Sequence, residues 1–279
     1  MTQAPLDPTR TPPAATSGLA IAALVLGIFG LCVPVVAVVA LVLGLVAMAQ
    51  ISQSAGRLGG QGMALAGTIL GAVGVALSIL ALLIGMLLPA LAATRETARR
   101  MQSTTQLRGI HQGMAMYGHR NNDHYPGLDM QGDPVDLTVA GRIQILLDGR
   151  YFSPDYLISP FEEGKTPWAS GAVTSDHYSY AVLSIADPGG RRHEWAETLN
   201  TDAAVLSDRN TGSVQRPTSL YTRTPTAGWR GGVVWNDNHV GFEVTHVHQT
   251  QYGSHPANAN DHLFEATTPH EALMIHEGQ

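Results

Sequence analysis

From Met63 to Ala93 the chain carries no ionisable side chain, and this stretch constrains the fold more than any other. It is longer than the ~20 apolar residues that cross a bilayer, so it predicts a transmembrane helix. The residues that follow, to about Tyr117, keep helix formers but become charged. Leu107, Ile110, Met114 and Tyr117 fall at spacings of three, four and three, which make one apolar stripe. The sequence therefore predicts one helix that leaves the membrane and continues as an amphipathic helix packed against a folded domain.

Charge divides the chain in the same place. Residues 18–93 carry a net charge of +1, residues 94–127 carry +3, and residues 128–279 carry −10. An acidic distal part with a single lysine, Lys165, argues against a nucleic-acid surface, which needs clustered Lys and Arg, and no nucleic-acid partner is expected. Cys32 is the lone cysteine, so no intramolecular disulfide is possible and cysteine usage does not report the compartment. The roughly 150 residues after the stalk that ends near Tyr117 suffice for one globular domain with its own core.

Residues 1–17 carry Pro5, Pro8, Pro12 and Pro13 among small polar residues, and are expected to form a disordered tail. The tail lacks the basic start of a signal peptide, so it is expected to be retained. A first apolar run, Leu19 to Ala49, is also uncharged and long enough to span, with Gly27, Gly30 and Pro34 inside it. Ala23 and Gly27 on this run, and Gly67 and Gly71 on the second, have the small-xxx-small spacing that lets helices approach closely. Gly18 to Gly27 also repeats as Gly62 to Gly71 at an offset of 44. The connection from Gln50 to Gln61 is short and polar, so two antiparallel spans are expected, with both chain ends on one side.

The blocks GLAIAALVLGIFG, ALVLGLVAMAQI and GRLGGQGMALAGTILG resemble the small two-span bacterial membrane domain of unknown function that often follows a Pro-rich tail. That resemblance covers roughly residues 17–84 and implies no catalytic residues. From Leu87 onward, LLPALAATRETARRMQSTTQLRGIHQGMAMYGHRNNDHYPG resembles the N-terminal helix of type II secretion pseudopilins of the planctomycete type. This second resemblance implies a membrane helix running into an amphipathic helix on a small antiparallel sheet. The sequence departs from that family in one respect. No acidic residue lies between Asp7 and Glu96, so the glutamate that sets pilin assembly register is missing and neither processing nor polymerisation is expected.

Beyond the helix, Asn121 to Gly127 supply turn formers. Asp136 to Gly149 reads as a helix capped by Asp136, and His177–Ser184 and Ala203–Ser207 read as strands. Gly231 to Val244 has two alternating arms around Asn236-Asp237-Asn238, a hairpin signature. It resembles the last hairpin of the pseudopilin family, with Asn238 in place of a glycine at the turn.

Seven of the twelve histidines lie between His239 and His276. His246 and His248, two apart, would share a strand face, and with Asp237 or His239 they are the candidate metal ligands. Their irregular spacing, and the absence of HExxH or a cysteine partner, favour the plain reading of exposed side chains. No nucleophile elbow, P-loop or dinucleotide fingerprint occurs. Ser207-Asp208-Arg209-Asn210 reads as a strand end, and Trp195, Trp229 and Trp235 as core filling in preference to a carbohydrate face. No catalytic, cofactor or metal residue is therefore assigned.

The expected architecture is α+β: a tail (1–17), a two-helix transmembrane hairpin (18–93), and a pseudopilin-like domain (94–279) whose stalk helix packs on a small antiparallel sheet. The expected role is structural or interactive and not enzymatic, with ligand or metal binding by the His-rich segment as the alternative. The expected partners are the lipid bilayer, other envelope proteins, and a second copy through the helical hairpin. The expected site is the bacterial cytoplasmic membrane, multi-pass. On orientation two arguments collide. Arg10, Arg95, Arg99 and Arg100 against Arg57 put the domain in the cytoplasm by the positive-inside rule, whereas the pseudopilin resemblance implies an extracytoplasmic domain, which is the expectation adopted.

Overall fold

The computed structural model describes residues 15–54, 57–221 and 228–276. The tail expected to be disordered lies almost wholly outside these residues. The chain divides into two compact units, Met1–Thr94 and Arg95–Gln279.

In the first unit the apolar run expected to be one span is two helices, α1 (Gly18–Gly30) and α2 (Pro34–Gln53). Pro34 is the cause. It has no N–H to bond the carbonyl four residues back and its ring crowds that carbonyl, so it starts a helix instead of continuing one. Val33 before it is extended (φ −125°, ψ 110°), as residues preceding proline prefer. Helix α3 (Gln61–Gly118) follows, and two short strands, β1 (Ala15–Thr16) and β2 (Leu58–Gly59), pair in parallel just before α1 and α3.

The side-chain register fixes the helix directions. Along α3, Gly67 lies against Ala23 and Gly74 against Gly30, so α1 runs parallel to α3. Thr68 lies against Gly44 and Gly71 against Leu41, so α2 runs antiparallel to it. The sequence reading paired a single first span antiparallel to the second; instead α1 and α2 fold back on each other beside α3. Glycine is required at the contacts. A Cβ on Gly67 would stand 2.6 Å from the Ala23 backbone, and one on Gly71 would stand 2.7 Å from Leu41 N. Ala20, Ala47 and Ala64 close the same seam beside β1 and β2.

The second unit holds the C-terminal part of α3, α4 (Val139–Asp148), the short α5 (Gly190–His193) and two antiparallel sheets. The larger sheet contains β3 (Tyr180–Leu183), β4 (Ala204–Asp208), β5 (Gly231–Trp235), β6 (Val240–Glu243) and β9 (Met274–Ile275), in the order β6-β5-β4-β3-β9. The smaller pairs β7 (Val247–Thr250) with β8 (Asn258–His262). The β5–β6 hairpin turns at the expected residues, with Val234 opposite Val240 and Asn238 at φ 67°. Helix α4 ends at Gly149 as expected, but its cap is Thr138, whose hydroxyl accepts from Gly141 N, and not Asp136. Asp136 braces that cap from outside, accepting from Thr138 N and Oγ1.

Leu107, Ile110 and Met114 on α3 are buried in one core with Tyr180, Val233 and Trp235 of the sheet, Tyr178 just before β3, and Ile143 and Leu146 of α4; Tyr117 is half-buried against it. Trp195, Trp229 and Trp235 are all core residues, which removes the carbohydrate-face reading. A carboxylate at Ile110 would be buried without a partner, so Ile110→Asp is expected to cost roughly 3 kcal/mol or more and to unfold the second unit. Met116→Asp, at an exposed position of the same helix, is expected to change little. Limited proteolysis and thermal melting of the full chain check both.

Candidate functional site

The four metal-ligand candidates do not converge. Asp237 and His239 sit at the β5–β6 turn, where Asp237 Oδ1 accepts from His239 N at 3.0 Å and pairs with its Nδ1 at 2.5 Å. Burial works to raise the Asp237 carboxyl, but these bonds and the His239 charge outweigh it and hold the group below its ordinary value. The His239 ring stacks on Trp235. His248 meets the same indole edge-on, and its Nε2 donates to Thr245 O at 2.8 Å. His246 faces His262 instead, with ring centroids 4.4 Å apart, and burial followed by these neighbouring imidazoles holds its pKa down.

Among the described residues, three side chains with ligand atoms within 4.8 Å of one another occur at His119, Asp123 and Glu197. Two of the three are exposed, and His119 Nδ1 lies 3.2 Å from Glu197 Oε2. His119 and Asp123, four residues apart, lie in the turn that follows α3. Glu197 comes from a loop 74 positions after Asp123, and no local pattern announces it.

One polar network of the unit is buried. Tyr125 Oη donates to Asn236 Oδ1 at 2.8 Å and lies 3.2 Å from His111 Nε2, while His111 Nδ1 lies 3.1 Å from Asn238 Oδ1. Asn236 Nδ2 reaches Glu194 O, Ala196 O and Thr198 Oγ1, each at 2.8 Å, which fixes the amide so that its oxygen faces Tyr125. Burial pushes the His111 imidazole down and the Tyr125 phenol up, so both stay neutral near pH 7. A cavity of about 120 Å³ adjoins this group, lined by His111, Gln112, Ala115, Glu197, Leu199 and Asn236–Asn238. The polar atoms of His111, Tyr125 and Asn236 are engaged with one another, so the network pins the β5–β6 turn to α3 and to the 194–198 loop.

A second buried group surrounds Asp208 at the end of β4. Its Oδ2 accepts from Gly232 N at 2.6 Å, and the Tyr221 hydroxyl is the other group that favours its charged form. Burial pushes the carboxyl up to about 7, with the Gly232 bond opposing. Arg209 pairs with Glu162, and Asn210 Oδ1 accepts from Gly212 N and Thr218 N. The Ser207–Asn210 run is thus a strand end and turn, as its sequence suggested. Lys165 donates to Ser175 O and Tyr178 O and lies 3.5 Å from Glu162 and 3.4 Å from His276 Nε2. Burial, then the Lys165 charge, pushes His276 down to about 4.

The family described as a domain of unknown function (DUF4190) matches residues 19–81. This is the segment that resembles the small bacterial membrane domain, and it takes in α1, α2 and the start of α3. The match ends before Leu87, and nothing in the comparisons supports the pseudopilin resemblance of the residues beyond. No curated protein matches the chain, and no solved structure matches it.

Asp208 and His276 give opposite pH slopes. With its folded pKa near 7 and an unfolded value near 3.8, Asp208 makes the folded state bind more protons, so stability falls as pH rises through that window. With its folded pKa near 4 against 6.5, His276 makes the unfolded state bind more, so stability falls as pH drops through that window. The two offset each other between pH 4 and 6.5 in the unaltered chain. Asp208→Asn is expected to leave a melting temperature that rises with pH there, and His276→Gln one that falls. Thermal melts at several pH values check both slopes.

Proposed function

We propose that the chain is a membrane-anchored structural or interaction protein of the bacterial cytoplasmic membrane, presenting an acidic α+β domain outside the cytoplasm and carrying out no catalysis. The observation that carries this reading is the inside-out first unit. Its small residues face inward, while Ile21, Phe29, Val38, Leu45, Ile69 and Leu83 face outward and exposed. Each large apolar side chain left in water forgoes roughly 1.5–3 kcal/mol, so such a surface is stable only against hydrocarbon. Among the described residues α2 and α3 are long and apolar enough to cross a membrane.

For the second unit, the reading as a pseudopilin-like domain without pilus assembly draws support from the buried Leu107–Met114 stripe of a long helix against an antiparallel sheet. Other envelope proteins, or a second copy of the chain, are the partners such a domain would meet. A second reading, metal or ligand binding by the His-rich segment, draws on the imidazole pairs His246–His262 and His255–His270, with ring centroids 4.4 and 3.4 Å apart. Stoichiometric metal in the purified protein, lost in a His246→Ala, His248→Ala double variant, would favour it over the first.

The protein is expected to resist alkaline carbonate extraction from membranes, and alkaline phosphatase fused after Gln279 is expected to be active. Release by carbonate would overturn the membrane reading. An inactive phosphatase, with an active cytoplasmic reporter at the same position, would place the domain inside.

A further inference from the structure

We infer that the α1–α2 pair is a re-entrant hairpin that enters the bilayer and returns to the same face, so that within residues 15–94 only α3 crosses. The inference rests on the membrane reading above and gives it a different topology from two antiparallel spans.

Three independent observations point the same way. The first is the end at which the first unit begins. Ala15 and Thr16 pair in parallel with Leu58 and Gly59, so the start of α1 and the 54–60 connection lie together, beside the start of α3. Two antiparallel spans would have put them at opposite ends.

The second is depth. The hairpin is seated on α3 only from about Gly60 to Gly74, where Gly30 and Ala37 flank Gly74 close to the tip. Helix α1 has 13 residues, or about 20 Å, short of a hydrocarbon core of about 30 Å, and although α2 with its 20 residues could match that core, the two arms share one tip and one base. Beyond the tip α3 runs on uncharged to Ala93, with Ile79, Leu80, Leu82, Leu83, Met86 and Leu88 exposed. If the hairpin filled the core from face to face, these side chains would stand in water. The uncharged stretch of α3 is about 46 Å long, close to the ~40–45 Å of a whole bilayer with its headgroup regions. The layer that leaves the least apolar surface wet is therefore centred near Leu77, about the level of the tip.

The third is the chemistry of the two connections. The tip, Leu31-Cys32-Val33-Pro34, has no charged or strongly polar side chain. Its N–H donors at Leu31 to Val33 and at the start of α2 bond locally: Leu31 N donates to Ile28 O, Cys32 N and Val33 N to Phe29 O, and Val36 N and Ala37 N to Val33 O. Pro34 has no N–H to satisfy. Such a turn tolerates hydrocarbon, where an unpaired donor would cost several kcal/mol. The other connection holds Ser54 and Arg57 and suits the interface. The arginine tally changes with it: Arg10, which precedes Thr16 in the chain, joins Arg57 against Arg95, Arg99 and Arg100, and the positive-inside rule no longer opposes an extracytoplasmic domain strongly.

The test uses the full chain with Cys32→Ala and single cysteines at the exposed positions Thr16, Ser52 and Thr94. Spheroplasts are treated with a membrane-impermeant maleimide before and after permeabilisation, and carbonate extraction is run on each variant. We expect retention in the membrane, with Thr16→Cys and Ser52→Cys labelled under the same condition, Thr94→Cys under the other, and the native Cys32 of the unaltered chain labelled under neither; labelling of Cys32 together with the Thr94 position would show a tip that reaches the far face and overturn the hairpin. Retention with Thr16→Cys and Thr94→Cys reacting from the same face, and Ser52→Cys from the opposite one, would establish two full spans and overturn the hairpin alone. Release of all variants by carbonate would overturn the membrane reading and the hairpin with it.

Discussion

The close approach of α1 and α2 to the glycine face of α3 is the contact on which the first unit depends. Two backbones can come within reach of one helix only where side chains are absent, and Gly67 and Gly71 meet Ala23 and Leu41 there. Because Gly, Ala and Thr occupy the inner seam, the large aliphatic side chains have nowhere to go but outward. The outward apolar surface is thus a direct consequence of the inner packing, and it is the feature on which the proposed membrane reading rests. The same seam holds the folded-back hairpin beside the first turns of α3 and leaves the next 16 or so residues bare.

In the second unit the same α3 obeys ordinary aqueous rules. Its stripe turns inward against the sheet, and its polar positions serve as anchors. His111 reaches the β5–β6 turn, Ser103 Oγ lies 3.1 Å from Tyr180 Oη, and Tyr180 Oη donates to Gln106 Oε1 at 2.9 Å. Beside them, Asn236 ties the turn to the 194–198 loop and to Tyr125 through one amide. Buried polar groups satisfied in this way fix a register that apolar packing alone leaves loose.

What could be read from the sequence was whatever has a short period or a local chemistry. The Leu107–Met114 stripe, the arms of the β5–β6 hairpin, the positive φ of Asn238 and the end of α4 at Gly149 are of that kind. The break at Pro34 was ambiguous, because a proline in a long apolar run reads equally as a tolerated kink or as the first residue of a new helix. The repeat of Gly18–Gly27 at Gly62–Gly71 signalled two similar helices but not their direction, and they turned out parallel. The His111–Tyr125–Asn236 network joins residues up to 125 positions apart, and the His119–Asp123–Glu197 group needs a loop from elsewhere. Neither leaves a local trace.

Cys32 sits at the tip of the hairpin and is the one cysteine of the chain, so the unaltered protein can report on its own tip. A nitroxide attached to it in reconstituted bilayers can be read by power saturation against oxygen, which concentrates in hydrocarbon, and against a water-soluble nickel chelate. A tip near the middle of the bilayer predicts strong relaxation by oxygen and almost none by the chelate. Relaxation by the chelate as strong as that of a label at Thr94 would contradict the account, because it would put the tip in water.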